Sequence, residues 1–305
     1  MTPTGRGHHY FGTDLHGGCG LRGGFMLESL QTLVLQVRPY GEAHRLVTLL
    51  TRERSVVRAI AHRAQLQHNH LYAATQELAR SLLQLRLAGD SLATVTQGTL
   101  LDNYTELRVD MDKLVYSSAV MELLINVDQS GGRVSSVDLF DDVIAGLDRM
   151  RQSFSPRFVL AHLQLSLLPN FGVALSIADC ARCGAKLESS TEFSFKSGGF
   201  LCTQCAVRAA ELRHVVLVPG VWRVMKQMSG QRIAHTGRVN LRVETEEQVC
   251  DLLAVCLRDY AGVSLRSLRV AAQLHGLDGE PVQPLQGNPG SADLGGAKEE
   301  GLGDA

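Results

Sequence analysis

The sequence predicts an α+β protein: a small closed β-barrel over residues 26–109, then a helical region over 110–275 with a four-cysteine hairpin at 178–208. Three observations lead there. Five short strand signals separated by turn residues fall within about 75 residues after Gln31, which suits a small barrel. From Asp110 the apolar period changes from two to that of a helix. Four cysteines form two matched pairs, Cys180-Ala-Arg-Cys183 and Cys202-Thr-Gln-Cys205, with 18 residues between them.

The barrel strands are read in order. Gln31 to Val37 alternates in character and stops at the turn Arg38-Pro39-Tyr40-Gly41. Leu46–Leu50 and Val56–Ile60 follow as short strands, then Ala79–Leu87, the turn Ala88-Gly89-Asp90, and Leu92–Gln97. Leu66 to Gln76 has no clear pattern. In the helical region, Leu114, Val115, Ala119, Met121, Leu124 and Ile125 share a helical face that ends at Ser130-Gly131-Gly132. Ser135 or Ser136 is expected to cap a second helix carrying Leu139, Phe140, Val143, Ile144 and Leu147. Ser155-Pro156 starts a third, because Ser accepts from free first-turn amides and Pro is preorganised at the first helical position. Pro219-Gly220 opens a further helix, and Thr245-Glu-Glu-Gln248 reads as a capping box before a last helix, Val249–Ala261.

The cysteines carry the chemistry. A Cys-x2-Cys knuckle points two thiolates at one centre, and two knuckles ~15–20 residues apart supply the four sulfurs that tetrahedral zinc prefers. Glu192-Phe193-Ser194-Phe195, the turn Ser197-Gly198-Gly199 and Phe200-Leu201 make the intervening stretch a short hairpin. Two readings compete with zinc: a redox dithiol, which needs only one Cys-x-x-Cys on a βαβ unit, and disulfides, which need an oxidising compartment. A zinc deaminase is excluded by the lack of a His-x-Glu partner before the second pair. Four protein ligands leave no open coordination position, so the expected single Zn2+ is structural. Arg182, Lys186, Lys196 and Arg208 lie near in sequence to offset the thiolate charge.

Composition bounds the rest. The chain has 305 residues, 45% hydrophobic, with a formal net charge of −1, and no apolar run reaches the ~18 residues a membrane span requires. Residues 1–25 are Gly- and His-rich, read as a disordered leader, with His8 and His9 more simply tail residues than ligands and Met26 a candidate start. Residues 276–305 read as a disordered acidic Gly/Pro tail, with six acidic residues against Lys298. Cys19, Cys250 and Cys256 have no pairing pattern and fit reduced thiols in a cytoplasmic protein. No Walker-type loop, Gly-x-Ser-x-Gly, His-Glu-x-x-His or placed carboxylate pair occurs, so the chain is not expected to be an enzyme.

In their order these features resemble the RecO family of bacterial recombination mediators over about Leu30 to Gln273. The resemblance rests on Arg38-Pro39-Tyr40-Gly41-Glu42, Arg45 to Glu53, Leu139-Phe140, Cys180-x-x-Cys183-Gly184, Ser197-Gly198-Gly199-Phe200 before the second cysteine pair, and Arg266-Ser267. It implies an oligonucleotide-binding-fold (OB-fold) barrel and a helical domain with an inserted zinc hairpin. It also implies a non-enzymatic, cytoplasmic, nucleoid-associated role. Such proteins bind single- and double-stranded DNA, anneal strands, contact the acidic C-terminal tail of single-stranded-DNA-binding protein, pair with RecR and help load RecA. The chain departs from the family after the third strand, where a Lys/Arg-rich loop is usual: Ala61 to His70 holds only Arg63 among three histidines.

Arg45, Arg52, Arg54, Arg58 and Arg63 are the candidate DNA-backbone contacts, with solvated rim charge paired to Glu42 or Glu53 as the plainer reading. Tyr40 and Tyr72 are the candidate stacking aromatics, each more commonly a core or turn residue. Arg266 and Arg269 are read as following the final helix, where they would interact with its C-terminal dipole. His62, His68 and His70 could hold a metal but suit a solvated loop better. A zinc-stapled protein-interaction scaffold without DNA contact is the alternative function.

Overall fold

Leu33-Val34-Leu35 is a continuous apolar run inside a strand, and the computed structural model shows why. The first strand, β1 (Met26–Tyr40), is buried on both faces there. Leu30 and Val34 fill one apolar cluster, while Leu33 and Leu35 fill another. A strand covered on both sides reads as an unbroken run instead of an alternation. The structure describes residues 26–87, 92–131, 137–152, 155–208, 214–236 and 241–274. The expected leader, tail, Ala88-Gly89-Asp90 turn, Ser135/Ser136 cap and Cys19 lie outside them.

β1, β2 (His44–Thr51), β3 (Val56–Ala61), β4 (Arg80–Leu87) and β5 (Ala93–Asp102) form a closed barrel in the order β1-β2-β3-β5-β4. Closure works because β1 is long. Its C-terminal half pairs with β2, from Thr32 opposite Thr51 to Tyr40 opposite His44, and its N-terminal half pairs with β4, from Met26 opposite Leu87 to Leu33 opposite Arg80. A register shift between Val34 and Gln36 bends the strand between its two partners. β3 and β5 pair in parallel through Ala59–Ala61. The segment without a clear pattern contains a one-turn helix, α1 (Leu71–Ala74), whose Leu71 and Ala74 join the barrel core. Gly98 on β5 leaves room for it: an added Cβ there would lie 2.8 Å from Leu83 Cδ2 and 3.2 Å from Ala74 Cβ.

After α2 (Thr105–Arg108) the helical body is built on α3 (Met111–Gln129), α4 (Val137–Arg151) and α5 (Pro156–Leu167). The Asp110 carboxylate accepts from the Lys113 amide to cap α3. Ser155 caps α5 by accepting from the Phe158 amide, with Pro156 in its first turn, as expected. α7 (Val221–Gly230) follows Gly220, whose φ of +125° is outside the range a side chain tolerates. The helical core takes in Leu33, Leu35, Leu50 and Leu78 of the barrel, so the two parts share buried apolar surface.

Two helix assignments need correction. α8 (Val243–Ala261) begins six residues before Val249, and Thr245-Glu-Glu-Gln248 is not a capping box. Gln248 Oε1 instead accepts from the Val218 amide at 2.7 Å, tying the helix to the segment before α7. α8 is also not the last helix: Gly262, at φ +67°, ends it, and α9 (Arg266–Leu274) follows. Arg266 and Arg269 therefore sit at the start of a helix, not past the end of one.

Candidate metal centre and nucleic-acid interface

The two knuckles form because the backbone around each turns tightly and bonds to its neighbour. Gly184 takes φ +72°, and its amide donates to the Cys180 carbonyl at 2.9 Å. The Cys180 amide donates to the Ala185 carbonyl at 2.7 Å, and the Ala181 amide reaches across to the Phe200 carbonyl at 2.8 Å. That last bond brings the first knuckle beside β7 (Gly199–Leu201), which runs directly into Cys202 and the short helix α6 (Thr203–Val207). The Sγ atoms of Cys180, Cys183, Cys202 and Cys205 all lie within 4.8 Å of one another, the one such group of metal-ligating side chains among the described residues.

The geometry fits a tetrahedral ion. At a Zn–S distance of ~2.3 Å the edge of a regular sulfur tetrahedron is ~3.8 Å. Cys183 Sγ and Cys202 Sγ are 3.8 Å apart. Burial opposes ionisation of Cys180, but the Cys202, Cys183 and Arg182 amides directed at its sulfur outweigh this and lower its pKa to about 6. Lost solvation and the three neighbouring sulfurs push Cys205 up to about 12. One thiolate is thus stabilised by the protein alone, and a cation at the centre of the four sulfurs would stabilise the others.

The hairpin that carries the site is wedged into the helical body. β6 (Glu192–Ser194) pairs with β7 on one side and with β8 (His214–Val216), a strand not anticipated from sequence, on the other. Phe193 and Phe200 are fully buried, and the Phe193 ring meets those of Phe195 and Phe200 edge-on at 5.3 and 5.2 Å. Gly199 allows this packing. Its position passes the Ser176 backbone so closely that an added Cβ would lie 2.3 Å from the Ser176 carbonyl oxygen. Trp222 Nε1 donates to the Ile177 carbonyl at 2.8 Å, and Tyr260 Oη donates to the Phe195 carbonyl.

Four of the five candidate arginines are engaged by partners on the protein itself. Arg45 Nη1 donates to the Tyr72 carbonyl at 2.8 Å and to Thr75 Oγ1 at 3.1 Å, with its guanidinium 4.6 Å above the Tyr72 ring, so it fastens β2 to α1. Arg52 forms a two-pronged pair with Asp141 of α4 at 2.9 and 3.0 Å. Arg58 pairs with Asp128 of α3 at 2.8 Å, and Arg54 with Glu28 of β1 at 2.7 and 2.6 Å. The partners are Glu28, Asp128 and Asp141, not Glu42 or Glu53. Two of these pairs cross from the barrel to the helical body, where carboxylates occupy the guanidiniums as phosphates would. The Arg52 hydrogen bonds hold the Asp141 carboxyl below the usual carboxylate range. Arg63 stands at φ +56°, and its side chain has no ion-pair partner among the described residues. Tyr40 is 52% exposed, while Tyr72 lies under Arg45. His62 meets the His44 ring edge-on at 5.0 Å.

No helix among the described residues is long and apolar enough to cross a membrane. Residues 26–104 match the family model described as "Recombination protein O N terminal", and residues 108–269 match "Recombination protein O C terminal". Among curated proteins, the chain is 28% identical over 250 residues to the DNA repair protein RecO of Exiguobacterium sibiricum, covering 82% of this chain and 98% of that one. It is 24% identical over 253 residues to the DNA repair protein RecO of Bacillus subtilis, covering 83% and 96%. With the DNA repair protein RecO of Heliobacterium modesticaldum it shares 30% identity over 245 residues, 79% of this chain and 87% of that one.

Proposed function

Because this chain belongs to the RecO family of DNA repair proteins, we propose that it is a non-enzymatic recombination mediator that grips DNA strands and does not alter them. In this reading it binds single- and double-stranded DNA, anneals complementary strands, and works with RecR to load RecA in the bacterial cytoplasm, at the nucleoid. The acidic C-terminal tail of single-stranded-DNA-binding protein is a further partner. The observation that carries the reading is the junction of a closed five-stranded barrel to a helical body that gathers four cysteine sulfurs within 4.8 Å of one another, close enough to hold a metal ion. Barrels of this size bind oligonucleotides on a strand face and its flanking loops. A centre saturated with thiolates offers no position for a reacting water or substrate. The bound ion in this reading is one Zn2+, held by Cys180, Cys183, Cys202 and Cys205, and it supplies folding energy on the order of 10 kcal/mol to the hairpin.

A second reading has a specific observation in its favour. Arg52, Arg54 and Arg58 are already neutralised by carboxylates, which suits a zinc-stapled scaffold that contacts only proteins. Fluorescence anisotropy of a labelled single-stranded oligonucleotide, titrated at several salt concentrations, separates the two. A mediator that holds phosphates gives log affinity falling with log salt by ~0.7 per phosphate neutralised. Absence of binding at low salt assigns the scaffold.

A further inference from the structure

A cleft of about 760 Å³ opens where the end of β1, one side of α3 and the turn between α8 and α9 meet. Its charged lining consists of Arg38, Arg108, Arg266 and Arg269 against Glu77 and Glu122. The two carboxylates are turned toward the protein's own backbone. Glu77 Oε1 accepts from the Val37 amide at 3.0 Å, and the Glu122 carboxylate accepts from the Arg266 amide at 2.8 Å and from the Ser267 amide and hydroxyl at 3.0 Å. Arg108 is likewise engaged, donating to the Asn103 and Glu77 carbonyls. The guanidiniums of Arg38, Arg266 and Arg269 have no hydrogen bond or ion pair among the described residues. All three residues are exposed. Arg266 and Arg269 are three apart on α9 and share a face. The cleft thus presents three uncommitted cations, while the barrel arginines singled out from sequence are largely committed.

We propose that this cleft seats the sugar–phosphate backbone of a single DNA strand, with Arg38, Arg266 and Arg269 as the phosphate contacts. Guanidinium forks match phosphate oxygens two at a time. The exposed lining is mainly polar and contains no aromatic side chain. It therefore suits sugars and phosphates better than stacked bases or the apolar anchor of a peptide. The volume, about 760 Å³, falls in the range of ligand pockets and accommodates a short stretch of one strand's backbone. Contact of this kind is indifferent to base sequence.

The inference rests on the reading that the protein binds DNA, and the test keeps the two apart. The unmodified full chain and the variants Arg38→Gln, Arg266→Gln, Arg269→Gln and their triple combination are titrated with a labelled oligonucleotide across salt concentrations. Thermal melts verify that the exposed substitutions leave the fold intact. Arg52→Gln serves as the barrel control. Each single variant is expected to reduce the magnitude of the salt slope by ~0.7 and the triple variant by ~2, with Arg52→Gln changing it less. Unmodified protein that binds, beside a folded triple variant with an unchanged slope, overturns the cleft and leaves the DNA reading standing. No binding by the unmodified chain removes both. Titration with a labelled acidic peptide adds a third arm: peptide binding lost in the triple variant while oligonucleotide binding persists would assign the cleft to a peptide and also overturn the proposal.

Discussion

Replacing Glu122 by Ala tests how α9 is held in place. Its carboxylate is the N-terminal cap of that helix although it belongs to α3, accepting two amides and a hydroxyl at 2.8–3.0 Å. Losing a side-chain cap costs about 1 kcal/mol, and losing a negative charge beside the positive end of the helix dipole costs ~0.3–1 kcal/mol more. The total is roughly 1–2 kcal/mol, concentrated in one short helix at the end of the described chain. Local opening of α9 should therefore become about tenfold easier, because ~1.4 kcal/mol corresponds to a factor of ten. Native-state amide hydrogen exchange reads this directly. The α9 amides at Arg269 and Val270 are expected to exchange about tenfold faster, with barrel amides such as Leu49 and Leu83 unchanged. Glu122→Gln keeps one accepting oxygen without the charge and should fall between. Equal exchange in α9 for Glu122→Ala and the unmodified chain would refute the assignment of this carboxylate as its anchor.

Three further expectations follow from the same geometry. Asp141→Asn releases Arg52, so oligonucleotide binding at low salt should tighten and the salt slope steepen by ~0.7, while stability near neutral pH changes little because both partners are well exposed. Since the folded-state pKa of Asp141 is depressed, chiefly by its Arg52 hydrogen bonds, the pair's contribution is present above the unfolded carboxylate pKa of ~3.9 and fades as pH falls through the folded value. Acid melts of unmodified and Asp141→Asn protein should accordingly converge at low pH; a gap that widens there would contradict this. Cys205→Ser should drop bound zinc from one ion per chain to none and loosen residues 178–208, while barrel amides keep their protection; retained stoichiometric zinc counts against four-sulfur ligation. Gly199→Ala forces a Cβ to within 2.3 Å of the Ser176 carbonyl oxygen, and chemical denaturation should show a loss of roughly 1–3 kcal/mol; a neutral result would mean the hairpin can move away from Ser176.

What could be read from the sequence was whatever is determined locally. The cysteine knuckles, the Ser155-Pro156 start of α5 and the Ser197-Gly198-Gly199 turn each carry their cause within a few residues. The turn needs Gly198 for its φ of +69° and Gly199 for close passage of another segment. What escaped was set by partners distant in sequence. The first amides of α9 donate to Glu122, 144 residues before Arg266. The true start of α8 at Val243 has no side-chain cap at Arg242 to announce it, and Gln248, which resembled a capping residue, bonds instead to Val218. β8 is a three-residue strand that exists by pairing with β6. The candidate arginines show the same limit. Their residue type and position suggested phosphate contacts, yet nothing near Arg52 or Arg58 in sequence reveals that Asp141 and Asp128 face them across the boundary between barrel and helical body.

X-ray absorption at the zinc edge of the purified chain examines the metal centre most directly. A shell of four sulfurs at ~2.3 Å with no lighter scatterer is the predicted spectrum, the signature of an ion that fastens the hairpin and has nothing left to offer a substrate. An oxygen or nitrogen neighbour at ~2.0 Å in place of one sulfur would reveal an open position and contradict a purely structural role.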